Sequence, residues 1–429
     1  MVLVAEDLEI PLLPHCRNSP PCLSYPESRE PGAHRPALEN RPLPPQRIRH
    51  KESTPTNTPK RDYMSGIYIH IPFCRQLCHY CDFHHSASLA RKGEMIEAIR
   101  RELARRRDEV APRSVETLYF GGGTPSVCTP GEIAPLVAQV QEQWAVDRFE
   151  EVTLEANPDD LTPGYLSALR DIGIDRLSIG VQSFHDRHLE RMNRRHTARA
   201  AVEAVEAAHA AGFENLTIDL IYGLPGMTLR EWQEDLAQAV ALPVQHISAY
   251  HLTVEPRTVF GKQGLAPVEE TVSEQHFSLL RERLQSAGFE HYEVSNFARP
   301  GYRARHNSAY WLGAPYLGVG PSAHSYDGSR RRSWNVASNP LYLSGTPPEE
   351  ELLTDTDLQN EYLMTRLRRA EGISTADFCS RFGETETRRL ETRCAVFEAA
   401  GDLCRTSFGW AIPPARWLVS DYVISRLFR

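Results

Sequence analysis

From residue 66 onward, short apolar runs alternate with longer segments whose apolar residues recur every three or four positions. The runs at 67–71, 117–120, 151–155, 176–179, 216–221 and 246–250 read as strands. The segments between them, such as 93–110 and 198–210, carry the spacing of amphipathic helices. A strand followed by a helix, repeated about six times, predicts a parallel sheet, because the helix returns the chain so that the next strand starts in the same direction. The crossovers are right-handed. This is an α/β class fold, and over 63–300 it predicts an incomplete (β/α)6 barrel, whose chemistry belongs on the loops at the C-terminal ends of the strands.

The pattern changes at both ends. Beyond residue 250 the repeat decays, and 301–354 reads as a connecting segment. From about 355 the chain turns charged and helical. Helices are expected at 361–370 and 386–400, a small hairpin between 401–405 and 410–412, and a final helix, together a small, mainly helical, winged-helix-like C-terminal domain over 355–429. Residues 1–62 hold many prolines, among them Pro20, Pro21, Pro42, Pro44, Pro45, Pro55 and Pro59, without sustained periodicity. That composition predicts a disordered tail. Glu6, Asp7 and Glu9 argue against a secretory or transit peptide there.

Composition narrows the function. With 48 basic against 56 acidic residues the formal charge is −8, which does not suit a protein built to coat nucleic acid. No apolar run is long enough to span a bilayer. A cytoplasmic, reducing setting is expected, where exposed thiols survive.

The chemistry concentrates after the first strand. Cys74, Cys78 and Cys81 have the spacing C-x3-C-x2-C, so one short loop supplies three thiolates and no fourth. Soft thiolates select zinc, copper(I) or iron-sulfur clusters. A structural zinc site wants four ligands, which His79, His84 or His85 could complete, whereas a [4Fe-4S] cluster on three cysteines keeps one iron open. A disulfide is disfavoured by the reducing setting. Further polar residues follow later strands: Gly121 to Gly123 with Thr124, then Glu155, Gln182, Arg194 and Asp219. Carboxylates suit ribose hydroxyls and a cation, an amide gives and takes hydrogen bonds, and a guanidinium grips a carboxylate. Beyond the sixth strand stands an H-N-x-x-Y-W segment at His306, Asn307, Tyr310 and Trp311.

The cysteine spacing, with Tyr80 just before the third cysteine, resembles the radical S-adenosylmethionine (SAM) superfamily. The run from Tyr68 to Cys74, followed by Cys81, Asp82 and Phe83, resembles the branch shared by oxygen-independent coproporphyrinogen III oxidases and HemW-type haem chaperones. The resemblance implies that Cys74, Cys78 and Cys81 hold a [4Fe-4S] cluster whose open iron takes the amino and carboxylate groups of SAM. It implies that Tyr68, Gly122, Gly123, Thr124, Glu155, Gln182, Arg194 and Asp219 line the SAM pocket. The H-N-x-x-Y-W segment is similar to that of the chaperones and implies a haem site, with His306 on the iron, Tyr310 and Trp311 beside the macrocycle, and His324 as the next candidate. Arg303, Arg305 and Arg330 to Arg332 suit the propionates. The oxidases carry a further cysteine where this chain has Phe83, and they lack the H-N-x-x-Y-W segment. Both features favour a haem carrier over an oxidase that decarboxylates coproporphyrinogen III. The implied partners are haem, a haem-acceptor protein through which any peripheral membrane contact is made, and an electron donor if SAM is cleaved; nucleic acid is not among them.

Overall fold

The computed structural model describes residues 65–111 and 114–429, so the tail expected over 1–62 lies outside the described residues. The first half alternates as the periodicity predicts. In order it runs β1 (Ser65–Ile71), α1 (Lys92–Arg105), β2 (Val115–Gly122), α2 (Pro130–Trp144), β3 (Glu151–Ala156), α3 (Pro163–Asp171) and β4 (Arg176–Gln182). It continues through α4 (Asp186–Arg191), α5 (Ala198–Ala210), β5 (Asn215–Tyr222), α6 (Leu229–Ala241) and β6 (His246–His251). These six strands pair in chain order, every pair parallel. β1 is buried along its whole length, which is why it reads as a continuous apolar run rather than an alternation. The helices bury one stripe each, such as Met95, Ile99 and Leu103 on α1. Reciprocal capping of Thr129 with Glu132 and of Thr228 with Glu231 starts α2 and α6 where the sheet needs them.

The sheet does not stop at six strands. After α7 (Val259–Lys262) and α8 (Glu270–Ser286) come β7 (Glu290–Glu293), β8 (Asn296–Ala298), α9 (Arg305–Trp311), β9 (Tyr316–Val319), β10 (His324–Tyr326), β11 (Arg331–Trp334), α10 (Asn339–Leu343) and β12 (Glu349–Leu352). The strand order is β12-β11-β10-β9-β1-β2-β3-β4-β5-β6-β8-β7. The outer edge of β1 therefore pairs with β9, in parallel, and that of β6 with β8, antiparallel. The barrel stays open and is widened on both sides. The segment 301–354, expected to connect and to carry the H-N-x-x-Y-W haem-site candidate, supplies four strands of this sheet. Strands of three or four residues are too short to announce themselves by periodicity.

One buried network ties the added strands to the barrel. The Glu102 carboxylate on α1 accepts hydrogen bonds from Arg106 (3.0 Å), Asn335 (2.8 Å), the Gly320 amide (2.9 Å) and the Tyr342 hydroxyl (2.6 Å). Arg106 also donates to the Gly318 carbonyl (2.9 Å) and to Ser325 (3.0 Å).

The C-terminal part comprises α11 (Asp355–Leu367), β13 (Ile373–Ser374), α12 (Thr375–Ala399), β14 (Cys404–Arg405), β15 (Gly409–Ala411) and α13 (Ser420–Leu427). Its three strands form a separate antiparallel sheet in the order β13-β15-β14, and the expected hairpin is β14–β15. α12 is broken at Gly383, whose φ of 85° lies in the left-handed region.

Candidate functional site

The cysteine loop leaves the C-terminal end of β1 and is pinned by backbone bonds. The Cys74 amide donates to the Ser86 carbonyl (3.0 Å), and the His79 amide to that of Met192 (3.1 Å). The loop after β2 lies directly against it. Gly123 donates to the Ile71 carbonyl (2.9 Å) and Thr124 to that of Phe73 (2.7 Å). A side chain has no room here: a Cβ on Gly123 would stand 2.7 Å from the Phe73 carbonyl oxygen, and one on Gly122 would stand 2.6 Å from the His70 ring.

Two of the three sulfurs receive donors from other elements. The Thr124 hydroxyl donates to Cys74 Sγ (3.3 Å) and the Arg194 guanidinium to Cys78 Sγ (3.3 Å). Burial pushes the Cys74 thiol up to about 11 and raises that of Cys81 as well. Thiols so placed ionise when a cation binds them. Of the histidines weighed for zinc, His79 is bonded to the Arg191 carbonyl (3.0 Å) and His84 to Asn339 (2.8 Å), while His85 Nδ1 lies 2.5 Å from the Phe83 carbonyl oxygen and 3.9 Å from Cys81 Sγ. Among the described residues no group of three or more His, Cys, Asp and Glu side chains is arranged around a single metal ion.

Around the loop the other strand ends carry polar groups. Gln182 closes β4 at a register shift, with a left-handed φ of 70°, and its Oε1 is buried without a partner. A bulge with strained backbone is a device for aiming a side chain. Arg194 also bonds the Gly180 carbonyl (2.7 Å) and Asn157 (2.5 Å), while its Nε is buried unpartnered. Glu155 accepts from the Tyr119 hydroxyl (2.8 Å), Asp219 from Ser178 (3.4 Å), and the Tyr68 hydroxyl lies 3.3 Å from His70 Nδ1. Donors on two sulfurs and two orphaned buried polar atoms at one mouth fit a cluster with a polar ligand beside it.

Comparison with known proteins gives the family. The family model described as the radical SAM superfamily matches residues 68–239. The chain is 35% identical over 326 residues to Heme chaperone HemW of Lactococcus lactis subsp. lactis (strain IL1403), covering 74% of this chain and 85% of the relative. It is 36% identical over 341 residues to the Mycobacterium tuberculosis (strain CDC 1551) protein of that name, covering 76% and 86%. The chain belongs to the HemW family of the radical SAM superfamily. The Escherichia coli (strain K12) HemW is 33% identical over 331 residues, covering 75% of this chain and 87% of its own. Among solved structures, the coproporphyrinogen III oxidase (HemN) of Escherichia coli superposes with a TM-score of 0.73 over 86% of this chain and 91% of that one, at 20% identity, a likeness of fold.

The segment that suggested a haem ligand in this HemW family member sits elsewhere. The amides of Arg305 and His306 donate to the Glu151 carboxylate (2.9 and 3.0 Å), which seats the start of α9 on the first residue of β3. His306 lies 2.8 Å from Thr117 Oγ1 through Nδ1 and 2.7 Å from the Tyr310 hydroxyl through Nε2. A Cβ on Gly66 would stand 2.8 Å from its ring. Gly66, Thr117 and Glu151 mark the N-terminal ends of β1, β2 and β3, about 20 Å of strand away from the cysteine loop. His306 is 1% exposed, and burial, then the nearby Arg176, holds its pKa down to about 3. With both nitrogens bonded inside the protein, His306 plugs the bottom of the barrel. Tyr310 closes this plug and Trp311 is buried, its carbonyl bonded by Arg366. The arginines expected for propionates are paired too: Arg303 with Glu290 and Glu371, Arg305 with Glu150, Arg330 with Asp355, Arg331 with Glu350 and Arg332 with Glu361.

The sequence reading passed over Tyr250 and Glu293. The Tyr250 hydroxyl is raised by burial and then by the charges of Asp219, Glu293 and Glu155, which places it among three carboxylates. Glu293 is fully buried with Oε2 unpartnered, and burial raises it from the ordinary 4.5 to about 7. A carboxyl with a raised folded-state pKa contributes stability that is complete below the unfolded pKa and is lost as pH rises through the folded one. Glu293→Gln is therefore expected to remove a loss of stability on the order of 3 kcal/mol between about pH 4.5 and 7. Denaturant midpoints at pH 4.5 and 8 check this. An unchanged pH dependence in the variant refutes it.

Proposed function

We propose that the chain is a haem chaperone: it holds a [4Fe-4S] cluster on Cys74, Cys78 and Cys81, binds SAM across the ends of β1 to β5, and carries haem to an acceptor protein. The observation that carries the reading is the 35% identity that spans 85% of a HemW relative. Phe83, where the related oxidases carry cysteine, supports the same side. When bound, the cluster supplies an open iron for the amino and carboxylate groups of SAM. The chain's own part is positioning. Thr124 and Arg194 donate to the sulfurs, and Gln182 and Arg194 present unsatisfied polar atoms to a ligand at the mouth. Glu155, Asp219, Gly122, Gly123 and Tyr68 complete the SAM pocket.

No helix of the described residues is long and apolar enough to cross a membrane. The chaperone works in the cytoplasm, and an electron donor joins it if SAM is cleaved. The test is anaerobic reconstitution, then iron and sulfide determination, haem titration and transfer of bound haem to an apo-haemoprotein, with a coproporphyrinogen III decarboxylation assay beside them. Haem binding and transfer without decarboxylation is the expected result. Decarboxylation by a protein that binds no haem hands the assignment to the oxidase.

A further inference from the structure

With both nitrogens of His306 bonded at the bottom of the barrel, the other imidazoles near the cysteine loop are the ones to weigh as an iron ligand. β9 runs parallel to β1, so its C-terminal end lies beside the end of β1 that leads into the cysteine loop. The chain then turns through Gly320 (φ 99°) and Ser322 (φ 67°) and enters β10 at His324. This turn is pressed onto β1: a Cβ on Gly320 would stand 2.5 Å from the His70 carbonyl oxygen. His324 thus emerges at the mouth, beside the turn that presses on His70.

His324 differs from the other mouth histidines in having no bonded partner. Its Nδ1 is buried without one, and no hydrogen bond joins either ring nitrogen to another group among the described residues. By contrast His70 is bonded to the His84 carbonyl (3.0 Å) and His84 to Asn339 (2.8 Å). The His324 ring is half-buried and stacks on Trp334, its cross-strand partner on β11, at 5.9 Å and 25° between planes. Burial, then the charge of Arg332, holds its pKa down to about 4, so the ring is neutral at neutral pH, the state that binds metals. The turn is also held from behind. Glu102 grips the Gly320 amide and Asn335, and the Asn335 amide donates to the Ala323 carbonyl (2.9 Å). A fixed, neutral imidazole without a protein partner is a preorganised ligand.

We propose that His324, not His306, is the side chain that takes the iron of haem, through Nε2, with Trp334 fixing the plane of its ring. This rests on the haem-chaperone reading. The full chain, with its cluster reconstituted, is titrated with ferric haem and followed by Soret absorption and electron paramagnetic resonance. His324→Ala is expected to weaken binding by about tenfold or more and to change the low-spin signature, with iron and sulfide content unchanged and the low-spin signal restored by added imidazole. His324→Met is expected to bind haem with a thioether-type spectrum, whereas His306→Gln leaves the wild-type spectrum in place. Wild-type affinity and spectrum in His324→Ala overturn the assignment and leave the carrier reading standing. If His324→Ala does not fold, a wild-type spectrum in His324→Met overturns it equally. A wild-type protein that binds no haem overturns both.

Discussion

Replacing any one of Cys74, Cys78 and Cys81 by alanine is expected to abolish the iron-sulfur cluster. In the proposed site each cysteine takes one corner, and the remaining described thiols, Cys128, Cys379, Cys394 and Cys404, belong to other elements. Cys128 is buried in the segment between β2 and α2, off the cysteine loop. Iron and sulfide per chain after anaerobic reconstitution should fall to near zero in each single variant. The fold should persist, because Cys78 and Cys81 are only half-buried and the loop is held by backbone bonds that alanine keeps. A triple variant that retains a full complement of iron and sulfide sinks the assignment. Tightly bound zinc in the native protein returns the site to the four-ligand alternative.

Glu102→Ala is expected to cost about 3–5 kcal/mol of stability. The carboxylate is 2% exposed and satisfies four donors, one of them the guanidinium of Arg106, itself 5% exposed. Removing it leaves a buried cation whose one remaining carboxylate is Glu109, takes the partner from the Gly320 amide and the Tyr342 hydroxyl, and leaves the Asn335 side chain with the Gly320 carbonyl. Glu102→Gln keeps the shape and loses only the charge, so it should cost less. Urea or guanidinium midpoints measure both. A cost below about 1 kcal/mol for the alanine variant means that the network does not hold β9 and β10 to α1.

How far the sequence reaches can be judged from particular residues. The glycines after β2 were picked out for ligand binding, and the structure adds a packing reason, since His70 and Phe73 fill the space a side chain would need. Gln182 and Arg194 were chosen by resemblance; the unsatisfied atoms that set them apart depend on neighbours on three other segments. Glu293 gave no signal, because a glutamate in a short, irregular stretch reads as a surface residue until its surroundings are known.

The sequence by itself determined the six strand-helix units, the order of the parallel strands and the placing of the cysteine loop after the first strand. Those features are encoded locally, by periodicity within ten to twenty residues and by cysteine spacing within eight. Tertiary structure alone decided that β9 pairs with β1, that α9 plugs the N-terminal end of the barrel, and that His306 is bonded while His324 is not. The partners of these groups lie far along the chain: Thr117 is 189 residues from His306, and Glu102 is 218 residues from Gly320. Whether a buried nitrogen is satisfied depends on which distant atoms folding brings within about 3 Å of it, and no local pattern in the sequence records that.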